Sequence, residues 1–319
     1  MSGLSAVILA AGFGKRMRSE RHKVLHELVG VPMITHVIRA ARAVNPDRIV
    51  VVVGHEADQV IAALQGESVE FVHQHEQLGT AHAFLQAGPL LADRARRVLV
   101  LSGDSALLTG GTLRAMVALQ GDEPGMTLLT CRVGDPTGLG RVLTGEDGLV
   151  RGVVEHRDAS AEQLAIDEVV VGTYLFDRDG FTLAGGLDSG NAAGEYYITD
   201  MVAAYRRAGR PVRAQDTPID EYRGPNDRKQ LADAEEVLLG RIRTRWMHAG
   251  VTMHLPATVY IEDSVVLAED VTLQPGAVLR GKTRVGRGAC IGAGSVITDA
   301  DVGEGIAVPP LSHLQGYNQ

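Results

Sequence analysis

The sequence predicts an α/β domain built on a mostly parallel, mixed sheet, followed by a linker helix and a short left-handed parallel β-helix. Three observations carry this expectation. Continuous apolar runs alternate with helical patterns through the first 225 residues, and a Gly-rich loop follows the first run. A single amphipathic stripe then spans about 20 residues. From Val259 onward an aliphatic or small residue recurs every six positions, and two places later a larger aliphatic keeps the beat at Ile261, Leu267, Leu273, Leu279, Val285, Ile291 and Ile297. Neither a helix nor a flat strand has a period of six. A parallel β-helix does, because each short strand ends in a turn and three hexads close one triangular coil.

The first strand is read at Ala6 to Ala11, a run apolar enough to be buried on both faces of a parallel sheet. Similar runs follow at Ile49 to Val53, Val69 to Val72 and Val98 to Leu101, with helical patterns at Met33 to Ala43 and Thr80 to Leu91. Such alternation predicts a doubly wound sheet whose ligands sit beyond the carboxyl ends of the strands, so the loops after Ala11, Val72 and Leu101 should face one another. From Asn226 the residues Leu231, Ala234, Leu238, Ile242 and Trp246 share one helical face, and Gly250 is a stop. The expected division is therefore 1–225, 226–250 and 251–319.

Composition narrows the function. Of 319 residues, 45% are hydrophobic and 22% charged, which suits a soluble protein of about two domains. A net charge of −8 with no dense Lys/Arg run argues against a nucleic-acid groove. Cys131 and Cys290 are isolated and form no metal or disulfide pattern, which fits a reducing cytoplasm. The apolar run at the start is too short for a signal peptide or a membrane span.

Three loops carry the candidate chemistry. Gly12-Phe13-Gly14-Lys15-Arg16-Met17 can bring backbone N–H groups close to an anion, with Arg16 and then Lys23 supplying charge. On its own it reads equally well as a tight turn with a solvated arginine. Ser102-Gly103-Asp104 places a carboxylate at the end of a buried strand, where it suits a hard cation such as Mg2+ or simply closes a turn. Gln74 to Ala81 offers glutamine amides that can read a base edge, or a polar helix entry capped by Thr80.

Taken together, these segments resemble the bacterial N-acetylglucosamine-1-phosphate uridyltransferase family. The resemblance runs in order through Leu9-Ala10-Ala11-Gly12-x-Gly14-x-Arg16-Met17, Lys23-Val24-Leu25-His26, Glu76-Gln77-Leu78-Gly79-Thr80, Gly103-Asp104, Asp135-Pro136-Thr137-Gly138-x-Gly140-Arg141, Val154-Glu155-His156, Gly194-Glu195-Tyr196-Tyr197 and Gly224-x-Asn226, ahead of the hexapeptide tail. It implies a Rossmann-like nucleotidyltransferase domain that uses UTP, N-acetylglucosamine-1-phosphate and Mg2+. The implied uridine pocket is Leu9, Ala10, Ala11, Gly12, Gln74, Gln77, Gly79 and Thr80. Arg16 and Lys23 would hold the phosphates, Asp104 and Asn226 the metal, and Gly140, Glu155 and the position of Val170 the sugar. Asn226 has a plain alternative as a helix N-cap.

The departures bear on the sugar more than on the reaction. Val170 stands where the family usually has asparagine, His22 where proline precedes the lysine, Lys15 where threonine is common, and Ser102 with Ser105-Ala106 around the aspartate differ as well. Another sugar-1-phosphate or NTP is therefore an alternative, and a non-catalytic nucleotide-sugar scaffold is a third. Family acetyltransferase residues lie in coils beyond those of this sequence, so no acetyltransferase activity is expected of it, and His313 reads as structural. The resemblance also implies a homotrimer through the β-helix, with no nucleic-acid or membrane partner.

Overall fold

The structure, a computed structural model, describes residues 3–190, 194–222 and 224–316. The chain separates into two compact units, Met1–His26 with Met33–Asp227, and Glu27–Pro32 with Arg228–Gln319.

The first unit is built on a nine-stranded sheet. Its strands are β1 (Leu4–Ala10), β2 (Arg48–Val53), β3 (Glu70–His73), β4 (Arg97–Ser102), β5 (Met126–Arg132), β6 (Arg141–Thr144), β7 (Val150–Val154), β8 (Glu168–Asp177) and β9 (Val212–Asp216). The order is β9-β5-β8-β4-β1-β2-β3, with β6 joined to β8 and β7 to β6. Strands β1, β2, β3 and β4 run parallel, whereas β8 runs antiparallel to both β4 and β5. Side chains of β1 enter two separate cores, Ala6, Ile8 and Ala10 on one face and Val7 on the other. That two-sided burial is why the run carries no polar alternation. The direction of winding reverses between β1 and β4, so their carboxyl ends border the crevice where such sheets bind ligands.

One predicted helix is divided. The segment read as Thr80 to Leu91 forms helices at Thr80–Leu85 and Gly88–Leu91, with Pro89 in the first turn of the second. A proline fits a first turn but lacks the N–H that a continuous helix needs there. The helix at Met33–Arg42 follows the expected pattern.

In the second unit a helix spans Arg228–His248 and buries Ala234, Leu238, Leu239, Ile242 and Arg243. The arginine was invisible to a reading by apolar stripe. Its Nε donates to the Val259 carbonyl at 2.8 Å and one terminal nitrogen to the Ala257 carbonyl at 3.3 Å, which pins the helix to the first coil. The solenoid then winds three parallel sheets. Tyr260 lies beside Val278 and Val278 beside Val296, a coil of 18 residues. The next partner of Val296 is His313, a coil of 17. The six-residue beat thus loses one residue after Ile297 and resumes at Val302, Val308 and Leu314. The seven predicted positions from Ile261 to Ile297 are all buried.

Residues Glu27–Pro32 belong to this unit although they follow Lys23 closely in sequence. Glu27–Leu28 and Val31–Pro32 pair as a hairpin whose turn holds Val29 and Gly30 at positive φ. The Val29 N–H donates to Glu235 at 3.1 Å, and its carbonyl accepts from the Asp263 N–H at 3.0 Å.

Candidate active site

A cavity of about 320 Å3 opens at the carboxyl ends of β1 and β4. Leu9, Ala10, Gly12, Arg16, Lys23, Asp104 and Asn226 all line it. Residues more than 200 positions apart converge here because the chain returns to the crevice just before the long helix. The Lys23 ammonium is ion-paired with Asp104 Oδ2 and donates to Asn226 Oδ1 at 2.8 Å. Arg16 donates to the same Asn226 oxygen, also at 2.8 Å. Ser102 Oγ donates to the other Asp104 oxygen at 2.6 Å.

Three glycines keep this arrangement tight. Gly14, at φ +58°, leaves room for Lys23, whose Cβ would lie 2.6 Å from a Cβ at Gly14. Gly103 donates to the Leu9 carbonyl at 2.8 Å, and a side chain there would push β1 and β4 apart. A Cβ at Gly224 would fall 2.7 Å from the Asp104 carboxyl carbon. Gly12, by contrast, has open space where its side chain would be, so its backbone is accessible to a ligand.

The third loop forms an adjoining wall rather than lining this cavity. A Cβ at Gly54 would lie 2.8 Å from both Ala11 Cβ and Gln77 Nε2, which places the ends of β1 and β2 against the loop after β3. Gln74 is buried, with its Nε2 donating to the Gly79 carbonyl at 3.1 Å and lying 3.0 Å from His82 Nδ1. Gln77 Nε2 donates to the Gln74 carbonyl at 3.2 Å. Gly79, at φ +114°, packs on the Tyr196 backbone so closely that a Cβ would come within 2.7 Å of its nitrogen. Thr80 Oγ1 accepts from the Ile198 N–H at 2.9 Å, and the helix cap is Gly79 rather than Thr80. The capping role read for Thr80 is therefore replaced by a clamp on residues 196–198.

Gly140, Glu155 and Val170 form a third group. The Val170 N–H donates to the Gly140 carbonyl at 3.0 Å, and a Cβ at Gly140 would lie 3.1 Å from Val170 Cγ1 and 3.5 Å from Glu155 Oε1. Thr199 Oγ1 donates to that Glu155 oxygen at 3.1 Å. Burial pushes the Glu155 carboxyl above its ordinary range; the Thr199 hydrogen bond opposes this, and nearby Asp200 and Asp158 add to it. Asn226 stands two residues before the long helix, and its Oδ1 serves Arg16 and Lys23.

Sequence reading passed over Thr199 and the packing role of Gly224, and treated Ser102 and His22 only as departures. Each acts through a neighbour that lies far away in the chain or on a turn, so local pattern gave no signal.

The donor set suits a hard cation. One carboxylate oxygen and one amide oxygen already hold a positive charge between them, the Lys23 ammonium, and oxygen ligands of this kind suit Mg2+ better than a soft metal. Among the described residues no cluster of three or more His, Cys, Asp or Glu could hold a metal ion. Among the described residues no helix is long and apolar enough to cross a membrane.

Residues 6–167 match the model of the MobA-like NTP transferase domain, and residues 258–299 match six bacterial transferase hexapeptide repeats. The bifunctional protein GlmU of Thermus thermophilus is 49% identical over 311 residues, which cover 97% of this chain and 68% of that protein. Proteins of the same name from Halalkalibacterium halodurans and Exiguobacterium sp. are 39% and 42% identical, over 99% and 97% of this chain and 73% of each relative. A crystal structure of UDP-glucose pyrophosphorylase complexed with UDP-glucose superposes with a TM-score of 0.61 at 17% identity, covering 74% of this chain and 98% of that one, and shares the fold.

Proposed function

This chain belongs to the family of the bifunctional protein GlmU, and on that premise we propose that it transfers the uridylyl group of UTP to N-acetylglucosamine-1-phosphate. The observation that carries the reading is the meeting of Arg16, Lys23, Asp104 and Asn226 in one cavity at the winding reversal of the sheet. In this reading Leu9, Ala10, Ala11 and Gly12 receive the uridine, and Gln74, Gln77, Gly79 and Thr80 complete its wall. Gly140, Glu155 and Val170 face the sugar.

The chemistry asks little of the protein beyond position and charge. An oxygen of the sugar phosphate, already anionic near neutral pH, forms a bond to the α-phosphorus while the bond to the pyrophosphate oxygen breaks in line. No proton has to move, so no general base is required. Arg16 and Lys23 stabilise the charge that grows on the leaving pyrophosphate. Asp104 and Asn226 would hold Mg2+, which when bound supplies neutralisation of phosphate charge. Glu155, held by Thr199, accepts from a sugar hydroxyl, and the Gly140 backbone forms the floor beneath it.

Val170 favours a second reading. A valine side chain beside Gly140 offers the sugar no hydrogen bond, so another sugar-1-phosphate, or another NTP given Ser105-Ala106, could be the preferred substrate. Pyrophosphate release measured across a grid of NTPs and sugar-1-phosphates separates these. The highest kcat/KM is expected with UTP and N-acetylglucosamine-1-phosphate; a maximum elsewhere selects the second reading, and no release with any pair overturns both.

The β-helix supports a homotrimer in which flat faces of three prisms close on one another, a heterologous contact that ends in a ring. Exposed Val266 and Leu311 lie on this unit. Light scattering that gives the monomer mass at micromolar concentration would exclude the trimer. The two cysteines are free, which supports a cytoplasmic location.

A further inference from the structure

We propose that His22 is a phosphate-contact residue of the nucleotide site, its Nε2–H donating to an oxygen of the bound triphosphate while Nδ1 holds the turn that presents Lys23. The proposal rests on the nucleotidyl-transfer reading and concerns a position where the resembling family usually has proline.

His22 is 3% exposed and lines the same cavity as Arg16 and Lys23. It is the N-cap of the turn Lys23–Leu25, with Nδ1 accepting from the Val24 N–H at 3.4 Å. A neutral ring that accepts at Nδ1 carries its proton on Nε2. Nε2 is buried and has no hydrogen-bond partner among the described residues. The Gly12 carbonyl approaches the ring and favours its protonated form, but hydrogen-bond geometry is not reached. Burial keeps the ring neutral by pushing its pKa below the ordinary value; Glu56 acts the other way, while His55 and Lys23 add to the lowering.

The backbone is adapted to the histidine as well. The His22 N–H, which a proline would lack, donates to Gln59 Oε1 at 3.1 Å, and Gln59 Nε2 in turn donates to the Glu20 carbonyl at 3.2 Å. A cap alone needs only an acceptor, and asparagine would serve. A buried N–H left unmet on a residue that lines the cavity is unfavourable until an acceptor reaches it, and a phosphate oxygen would meet that need.

Two variants separate contact from cap. His22→Asn keeps an acceptor for Val24 and loses Nε2–H; His22→Pro loses both and restores the family residue. UTP binding in magnesium buffer is measured by calorimetry, alongside the 15N shift of His22 Nε2 in the unmodified protein. The dissociation constant for UTP is expected to rise at least about tenfold in both variants, as the loss of one hydrogen bond to a charged group dictates. The Nε2 signal should move with UTP and stay in place with uridine. Equal affinity in all three proteins, or an Nε2 signal that UTP leaves unmoved, overturns the contact alone. Failure of the unmodified protein to bind UTP overturns the underlying reading and the contact with it.

Discussion

Gly224→Ala tests the site through a residue that touches no substrate. Its new Cβ would lie 2.7 Å from both Cγ and Oδ1 of Asp104 and 2.8 Å from the Asp104 carbonyl. Ordinary carbon contacts begin near 3.5 Å, so the carboxylate must retreat by about 0.8 Å. It has little freedom to do so gently, because Ser102 holds one oxygen and Lys23 the other. A displacement of about 1 Å at a reacting centre costs about a hundredfold in rate, so about 0.8 Å corresponds to a loss of about forty-fold, or about 2 kcal/mol of transition-state stabilisation. Overpacking should lower stability by about 1–3 kcal/mol, which leaves a domain of ordinary stability folded. The assay is kcat/KM by pyrophosphate release, with a melting curve on the same sample. Gly134→Ala is the control, since apart from its chain neighbours nothing lies within 4 Å of a Cβ built there. A folded Gly224→Ala enzyme with unchanged kcat/KM would refute the idea that the position of Asp104 limits the reaction.

Three further outcomes are expected. Asp104→Ala removes the anionic metal ligand and should lower kcat by about a thousandfold while the protein stays folded; full activity sinks the metal assignment. Glu155→Gln should raise the melting temperature at about pH 7.5 and leave it unchanged below about pH 4. Burial holds the folded carboxyl above its unfolded value, so the folded state binds the proton more tightly and the group's favourable contribution is lost as pH rises through the folded pKa; a variant that melts no higher than the unmodified protein at neutral pH would contradict that burial penalty. Val170→Asn restores a polar partner beside Gly140 and should sharpen selection among sugar-1-phosphates by about 1 kcal/mol, and unchanged relative kcat/KM values would remove Val170 from the sugar wall.

The sequence alone determined whatever depends on periodicity and on backbone chemistry at a fixed place. The six-residue beat from Ile261 to Ile297 specified a solenoid, because only a coil with a turn at each hexad buries one position in six. The apolar runs around Val7 and Val51 specified strands covered on both faces, and Gly12, Gly14 and Asp104 fell at strand ends where an open sheet binds ligands. Tertiary structure decided the rest, because the deciding contacts join residues with no sequence relation. The six-residue beat drops a residue after Ile297, and the parallel pairing of Val296 with His313 absorbs the loss. Glu27–Pro32 looks like a continuation of the segment bearing Lys23, yet the Glu235 carboxylate and the Asp263 amide hold it in the other unit. Asn226 reads as an ordinary helix cap until Arg16 and Lys23 are seen to share its oxygen. His22 reads as a loop substitution until burial leaves its Nε2 without a partner beside the cavity. Hydrophobic periodicity is written along the chain, but the partner of a polar side chain is chosen by folding, and in this protein such partners lie up to 210 residues away.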